Sequence, residues 1–166
     1  MSAKARALDE QENYWAGFLY DKDCQSAIVR YYFSPGIETT RTRDFDVVIE
    51  ARENGRTPVT SNREDFIHFT RDAQRKDLNT DCQDCWGLAV IPNQDLVRED
   101  ALRRANIKHD LRLGGRMIPW KAIAYANLCV RVERDGSVQV SRFERCRFCD
   151  RDYPINVGWY LDLPTL

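Results

Sequence analysis

The chain has 166 residues, with 25 basic and 26 acidic side chains and a formal net charge of −1. This length fits one domain with a substantial core, and a content of 43% apolar and 31% charged residues excludes a mostly disordered chain. No apolar run approaches the roughly 20 residues of a membrane-spanning helix, and the first 13 residues lack the apolar core of a secretory signal. We therefore expect a cytoplasmic protein without a membrane partner.

The first third of the chain predicts strands and helices in alternation. An aromatic and apolar stretch within 14–23 predicts a buried strand, and apolar residues at helical spacing predict a helix within 24–33. The Thr-rich segment 37–42 is a candidate second strand. A helix is expected to begin at Asp44 as its N-cap and to end at the Asn-Gly pair 54–55.

The alternation continues to residue 115. A short buried strand is predicted over 57–60, an irregular excursion over 71–85 and a strong strand within 86–93. Helical periodicity predicts a helix over 94–113 that runs through Leu111 and stops at the Gly-Gly pair 114–115. This succession of elements predicts an α/β fold with a parallel sheet.

The period changes after residue 124, where apolar and polar residues alternate around Asp135-Gly136, a sequence typical of a hairpin turn. The chain therefore divides into a flexible N-terminus over 1–13, an α/β domain over 14–123 and a β-rich, Cys-bearing extension over 124–166 packed on it.

Acidic and amide side chains collect where parallel strands are expected to end, which is where active residues of such sheets lie. Converging carboxylates would offer hard oxygen ligands to Mg²⁺ or Mn²⁺, which could activate water for in-line phosphoryl displacement. The alternative is chance clustering among 26 acids, with Asp44 and Asp65 only capping helices. The candidates are Asp21 and Asp23 after the first strand, Asn62 and Asp65 after the third, and Asp46 and Glu50 on one helix face.

Three segments, FLYDKD, DVVIEARENG and TSNREDF, resemble motifs of the PIN-like nuclease superfamily. The matches are Asp21 at the end of the first strand, Asp46 near the start of a helix, and Thr60, Asn62, Asp65 and Phe66 in TSNREDF. The strand in WGLAVIPN and the helix after it also fit, so the resemblance covers roughly 14–113.

The resemblance implies a PIN-like three-layer fold, a parallel sheet with flanking helices, and metal-dependent hydrolysis of RNA phosphodiester bonds. Asp21, Asp46 and Asp65 would hold Mg²⁺ or Mn²⁺, and Asn62 would orient the metal or the substrate.

Two CxxC pairs, Cys82–Cys85 and Cys146–Cys149, have the spacing of zinc knuckles and could share one structural Zn²⁺. Two separate thiol pairs and a redox function remain alternatives. PIN-like proteins with a Cys-rich C-terminal extension exist, and RCRFCDRDYP resembles their second knuckle. Cys24 and Cys129 are expected to be buried thiols.

Basic residues are concentrated between Arg98 and Lys121, where the net charge is +4. Such a patch could follow an RNA backbone, and the alternative is an ordinary solvated helix face. The RNA-binding candidates are Arg103, Arg104, Lys108, Arg112 and Arg116.

The sequence thus favours a divalent-metal-dependent ribonuclease with RNA as its partner. One alternative is a non-catalytic PIN-like module, stapled by zinc, that binds RNA or protein. A redox-linked protein is a second alternative, and a protein partner or a homodimer stays open.

Overall fold

A computed structural model describes residues 17–24, 27–33, 35–76, 87–92, 95–104, 111–113, 116–118, 128–143 and 164–166. A six-stranded sheet with helices packed on it makes this an α/β fold, as the sequence predicts. In chain order the elements are β1 Gly17–Tyr20, a 3-10 turn Lys22–Cys24, α1 Ala27–Tyr32, β2 Gly36–Glu38, α2 Asp44–Glu53, β3 Arg56–Thr60, α3 Arg63–Lys76, β4 Leu88–Val90, α4 Asp95–Arg104, β5 Leu111–Leu113, β6 Arg116–Ile118, β7 Leu128–Val132 and β8 Val138–Arg142.

The strand order of the large sheet is β2-β1-β3-β4-β7-β8. The first five strands in this order pair in parallel, and β8 runs antiparallel to β7. The predicted hairpin at Asp135-Gly136 is confirmed by β7 and β8, and it continues the main sheet because β7 pairs with β4. The backbone of Arg142 also bonds Pro164 and Leu166 along the outer side of β8.

The side chains of β1 alternate between the two faces of the sheet, as strand geometry requires. Leu19 lies in a core cluster with Val47 and Val48 of α2 and Phe66 of α3. Phe18 faces the opposite side of the sheet. Its ring packs edge-to-face on the ring of Phe33, which follows α1, with 5.1 Å between the ring centroids. Helical segments therefore cover both faces of β1, and the buried strand leaves only its end open for polar chemistry.

Two sequence expectations about the middle of the chain are wrong. The helix that starts at Asp95 ends at Arg104, and Leu111–Leu113 is a strand paired antiparallel with Arg116–Ile118. Two glycines separate these strands in the sequence, a spacing typical of a tight hairpin as well as of a helix stop. The irregular segment expected from residue 71 is helical as far as Lys76, since α3 continues the amphipathic period of its first turns.

The short strand expected within 37–42 is β2, which begins at Gly36 and ends before Thr39. Helix α2 begins at Asp44 rather than after it, with Arg43 as the N-cap residue. The strand predicted over 57–60 starts one residue earlier, at Arg56.

The turn of the β7–β8 hairpin rests against the end of α4. Arg104 donates from its guanidinium to the carbonyl of Asp135 at 3.3 Å. Gly136 has a φ of +84°, and a Cβ added there would lie 2.3 Å from the Cβ of Arg104. Glycine is therefore required at 136 by both its backbone conformation and the close approach of the helix.

We expect Gly136→Ala to lower the free energy of unfolding by about 1–3 kcal/mol, because a side chain there is strained and displaces Arg104. Urea unfolding measures this change. Arg134→Ala, an exposed change in the same turn, is the control and should stay within about 0.5 kcal/mol of the wild type. Equal effects of the two changes would contradict the proposed contact.

Candidate functional site

Asp21 follows β1 directly and lies against the end of β3. Its backbone N–H donates to the carbonyl of Val59 at 2.9 Å, so the parallel pairing of the two strands continues up to this residue. Its side chain is only 7% exposed. The carboxylate accepts a hydrogen bond from the Thr60 hydroxyl at 2.9 Å and one from the Lys22 backbone at 2.8 Å. Strand pairing therefore holds a buried carboxylate in one orientation.

Asp23 lies one short turn further along, at the loop that follows β3. It accepts hydrogen bonds from the backbone N–H of Ser61 at 3.3 Å and from the Ser61 hydroxyl. The thiol of the buried Cys24 donates to its other oxygen at 2.9 Å. This second carboxylate is exposed, in contrast to Asp21.

Asn62 joins two further carboxylates with one amide group. Its backbone carbonyl accepts the hydrogen bond of the Phe66 N–H at 3.3 Å, as an N-cap residue of α3 does. Its side-chain Nδ2 donates to Asp44 at 2.8 Å and to Asp65 at 3.0 Å. Asp44 is the first residue of α2 and Asp65 lies in the first turn of α3. The bridge therefore links the N-terminal ends of the two helices.

These residues form one group, which we call the acidic edge cluster: Asp21, Asp23, Asp44, Asn62 and Asp65. Burial raises the pKa of Asp21 above its usual value, and the charges of Asp23 and Asp44 raise it further, against the hydrogen bonds from Thr60 and Lys22. Burial also raises the pKa of Asp44, assisted by the charges of Asp65 and Asp23 and opposed by the Asn62 hydrogen bond. The mutual repulsion shows that four carboxylates from separate elements share one edge of the sheet.

The chemistry of the cluster suits a hard cation, since its donors are carboxylate oxygens and an amide. Among the described residues, however, no group of three or more His, Cys, Asp or Glu side chains is placed to hold a metal ion. In the placement described, Asp44 and Asp65 face the Asn62 amide instead.

The structure brings together three of the four predicted catalytic residues, Asp21, Asn62 and Asp65. Asp46 is the exception, because no hydrogen bond or ion pair in the described part of the chain joins it to the cluster. Glu50, one turn beyond Asp46, accepts hydrogen bonds from Thr39 at 3.0 Å and Thr40 at 3.1 Å, so it holds the loop between β2 and α2.

Asp44 belongs to the acidic edge cluster but is not among the residues that match the PIN-like motifs. The sequence shows acids at both 44 and 46, and the resemblance selected the second while a capping role explained the first. Residues two apart on a helix point in very different directions, so only one of them can face Asn62. The signal available in the sequence was position, since the first residue of a helix after a parallel strand lies at the carboxyl edge of the sheet.

Of the predicted RNA-binding residues, Arg103 and Arg104 are exposed near the end of α4. Arg103 pairs with Glu99 at 3.3 Å and Arg104 with Asp100 at 2.6 Å, both one helical turn away. Arg112 and Arg116 belong to β5 and β6. Lys108 lies outside the described residues.

The cysteines divide into two groups. Cys82, Cys85, Cys146 and Cys149 lie outside the described residues, so their shared zinc stays a prediction. Cys24 and Cys129 are buried, as expected from the sequence. Burial raises the pKa of Cys129 to about 12, with Arg131 and Arg63 opposing the change.

No family model, curated protein or solved structure matches the chain. Within the described residues, no helix is both long enough and apolar enough to span a membrane.

The burial of Asp21 has a measurable consequence. Because its pKa is raised on folding, the folded chain binds this proton more tightly than the unfolded chain does, and stability falls as the pH rises from the ordinary carboxyl range toward 7. We expect Asp21→Asn to raise the free energy of unfolding at pH 7 by about 0.5–2 kcal/mol. The substitution should also remove the part of the pH dependence of the unfolding free energy that Asp21 contributes. Urea unfolding at pH 4 and pH 7, without Mg²⁺ or Mn²⁺, measures both.

Asp46→Asn is the matched control for this measurement, because it removes a carboxylate outside the cluster. Its effect should stay within about 0.5 kcal/mol at both pH values. A loss of stability in Asp21→Asn at pH 7 would show that the two hydrogen bonds to the carboxylate outweigh its burial.

Proposed function

We propose that the chain is a PIN-like, divalent-metal-dependent ribonuclease that hydrolyses RNA phosphodiester bonds at the acidic edge cluster. The observation that carries the proposal is the convergence of four carboxylates on the end of β3 and the loop after it, where Thr60, Ser61 and Asn62 donate hydrogen bonds to them. Two of these carboxylates follow β1, and the other two lie at the starts of α2 and α3.

Asp44 is best suited to take up a proton. The pKa of its carboxyl is raised, chiefly by burial, which makes it a stronger base than an exposed aspartate. The Asn62 amide donates to Oδ2 of Asp44, and no hydrogen bond from the described residues reaches Oδ1 of Asp44. Oδ1 is therefore the atom that would accept the proton of an attacking water.

The remaining residues position this base. Asn62 donates to Asp44 and Asp65 through one amide, which fixes the distance between the carboxylates and offsets their repulsion. Thr60 orients Asp21 from the neighbouring strand. The hydroxyl of Thr60 also accepts the Asn62 backbone N–H at 3.0 Å, so the two positioning residues are themselves linked.

Asp21 and Asp65 would hold Mg²⁺ or Mn²⁺, without the Asp46 that the sequence resemblance adds to them, and Asp44 would remain the base beside the cation. A bound cation of this kind lowers the pKa of water and stabilises the charge that develops on phosphate oxygens. To bind it, Asp65 would have to exchange the Asn62 amide for the cation, whereas Asp44 would keep its hydrogen bond from Asn62.

Asp44→Asn should reduce cleavage of a generic single-stranded RNA in Mn²⁺ by at least about 100-fold, because it removes the proton acceptor. Asp46→Asn, two residues away on α2, is the matched control and should cleave at close to the wild-type rate. Gel analysis of a 5′-labelled RNA measures both rates, with chelated samples as blanks.

If activity is lost only in Asp46→Asn, the site is the set of Asp21, Asp46 and Asp65 that the resemblance implies, and the proposed role of Asp44 is wrong. A wild-type chain that binds the RNA without cutting it would support the alternative of a non-catalytic, zinc-stapled binding module. Cleavage that persists in both variants would place the activity elsewhere.

We also propose that Cys82, Cys85, Cys146 and Cys149 share one structural Zn²⁺, on the support of their two CxxC spacings alone. Metal analysis of the purified chain should give about one zinc per chain, with four thiols protected from alkylation until a chelator is added. Cys82→Ser should lower the zinc content, and Cys24→Ser is the control that should leave it unchanged. Absence of zinc with rapid alkylation of all four thiols would contradict the site.

A further inference from the structure

Exposed cations fall into two groups in the part of the chain with described side chains. Arg30, Arg41, Arg103 and Arg104 each pair with a carboxylate, namely Glu38, Glu50, Glu99 and Asp100. Four other exposed cations make no ion pair with the described residues: Lys22, Arg43, Arg63 and Arg134. The second group is not scattered, because three of its four members adjoin the acidic edge cluster.

Each of these three cations is the sequence neighbour of a cluster residue. Lys22 follows Asp21 and donates its backbone N–H to that carboxylate. Arg43 is the N-cap residue of α2, immediately before Asp44. Arg63 is the first residue of α3, immediately after Asn62. We call Lys22, Arg43 and Arg63 the basic rim.

None of the three cations of the basic rim makes an ion pair with a carboxylate of the cluster, among the contacts of the described residues. The cluster carboxylates instead accept hydrogen bonds from neutral groups, the Thr60 and Ser61 hydroxyls and the Asn62 amide. Positive and negative charge are therefore kept apart at this edge. The three cations of the rim therefore remain available to an anionic chain.

The rim extends along several strands. Lys22 lies at the end of β1, and Arg63 follows β3, the neighbouring strand about 4.8 Å away. Arg43 lies at a third position, directly before the first residue of α2. The three cations therefore flank the cluster from three different elements, which suits contacts to successive phosphates rather than to one.

We propose that Lys22, Arg43 and Arg63 bind successive phosphates of a single-stranded RNA whose scissile bond lies at the acidic edge cluster. This assignment rests on the proposed function and narrows its substrate to a chain of several nucleotides. It also moves RNA binding from Arg103 and Arg104, whose charges are paired within α4, to the three cations next to the site.

The test is the salt dependence of binding to a fluorescein-labelled 15-nucleotide oligouridylate, measured by anisotropy between 50 and 200 mM KCl without Mg²⁺ or Mn²⁺, so that the RNA is not cleaved. Each phosphate contact contributes about 0.7 to the slope of log K against log salt for a single strand. The triple variant Lys22→Gln/Arg43→Gln/Arg63→Gln should therefore lose about 2 from the slope. Over this range of salt, the wild type should lose about 20-fold more affinity than the triple variant.

Arg134→Gln is the matched control, since Arg134 is exposed and unpaired among the described residues but lies in the β7–β8 turn. Its slope should equal that of the wild type. Uridine monophosphate should compete weakly with the labelled chain, because it offers one phosphate. The thermal midpoints of all variants confirm that each is folded, and single Gln variants replace the triple variant if it is not.

An unchanged slope in the triple variant, an equal loss in Arg134→Gln, or no binding by the wild type would overturn the assignment. So would equal competition by a polyglutamate peptide of the same length, which would identify an acidic protein partner instead. Failure of the proposed function is distinguishable, since a wild-type chain with the full slope that does not cleave in Mn²⁺ defeats only the nuclease. Cleavage by the wild type with an unchanged slope in the triple variant defeats only the basic rim.

Discussion

The parallel pairing of β1 with β3 is the constraint on which the site depends. Its register aligns Tyr20 with Val59, so Asp21, the first residue after β1, meets Thr60, the last residue of β3, at the same edge of the sheet. The buried hydrogen bond between them at 2.9 Å then orients the first carboxylate. Because both strands are covered by apolar side chains, the edge is the one place along β1 where a polar group can act without disrupting the core.

Thr60 transmits this constraint to the helices. Its hydroxyl donates to Asp21 and accepts the backbone N–H of Asn62, and the Asn62 amide in turn reaches Asp44 and Asp65. A chain of four hydrogen bonds therefore joins the end of the sheet to the start of α2 and α3. Each of these hydrogen bonds satisfies a buried or half-buried polar group. Removal of one side chain therefore leaves the polar groups next to it without a hydrogen-bond partner.

Much of this fold could be predicted from the sequence, and the reasons differ by element. The alternation of apolar strands and helices before residue 104 carried strong periodic signals, and Asp135-Gly136 is a specific turn sequence. The strand Leu111–Leu113 could not be predicted, because a segment of only three residues is too short for its periodicity to distinguish a strand from a further helical turn. In the site, Asp21, Asn62 and Asp65 were found from motif and position, whereas Asp44 depended on which way the first turn of α2 faces.

The choice between Asp44 and Asp46 shows what a motif comparison leaves open. The local sequence admits either acid, and the deciding interaction comes from Asn62, 18 residues beyond Asp44. Placement also decides which cations are available, since Arg103 and Arg104 of α4 each pair with an acid one turn away, whereas the basic rim makes no ion pair with the described residues. Charge counted along the sequence is therefore a poor guide to charge that can act on a ligand. The chain is nearly neutral in total, yet three exposed cations beside the acidic edge cluster make no ion pair with the described residues.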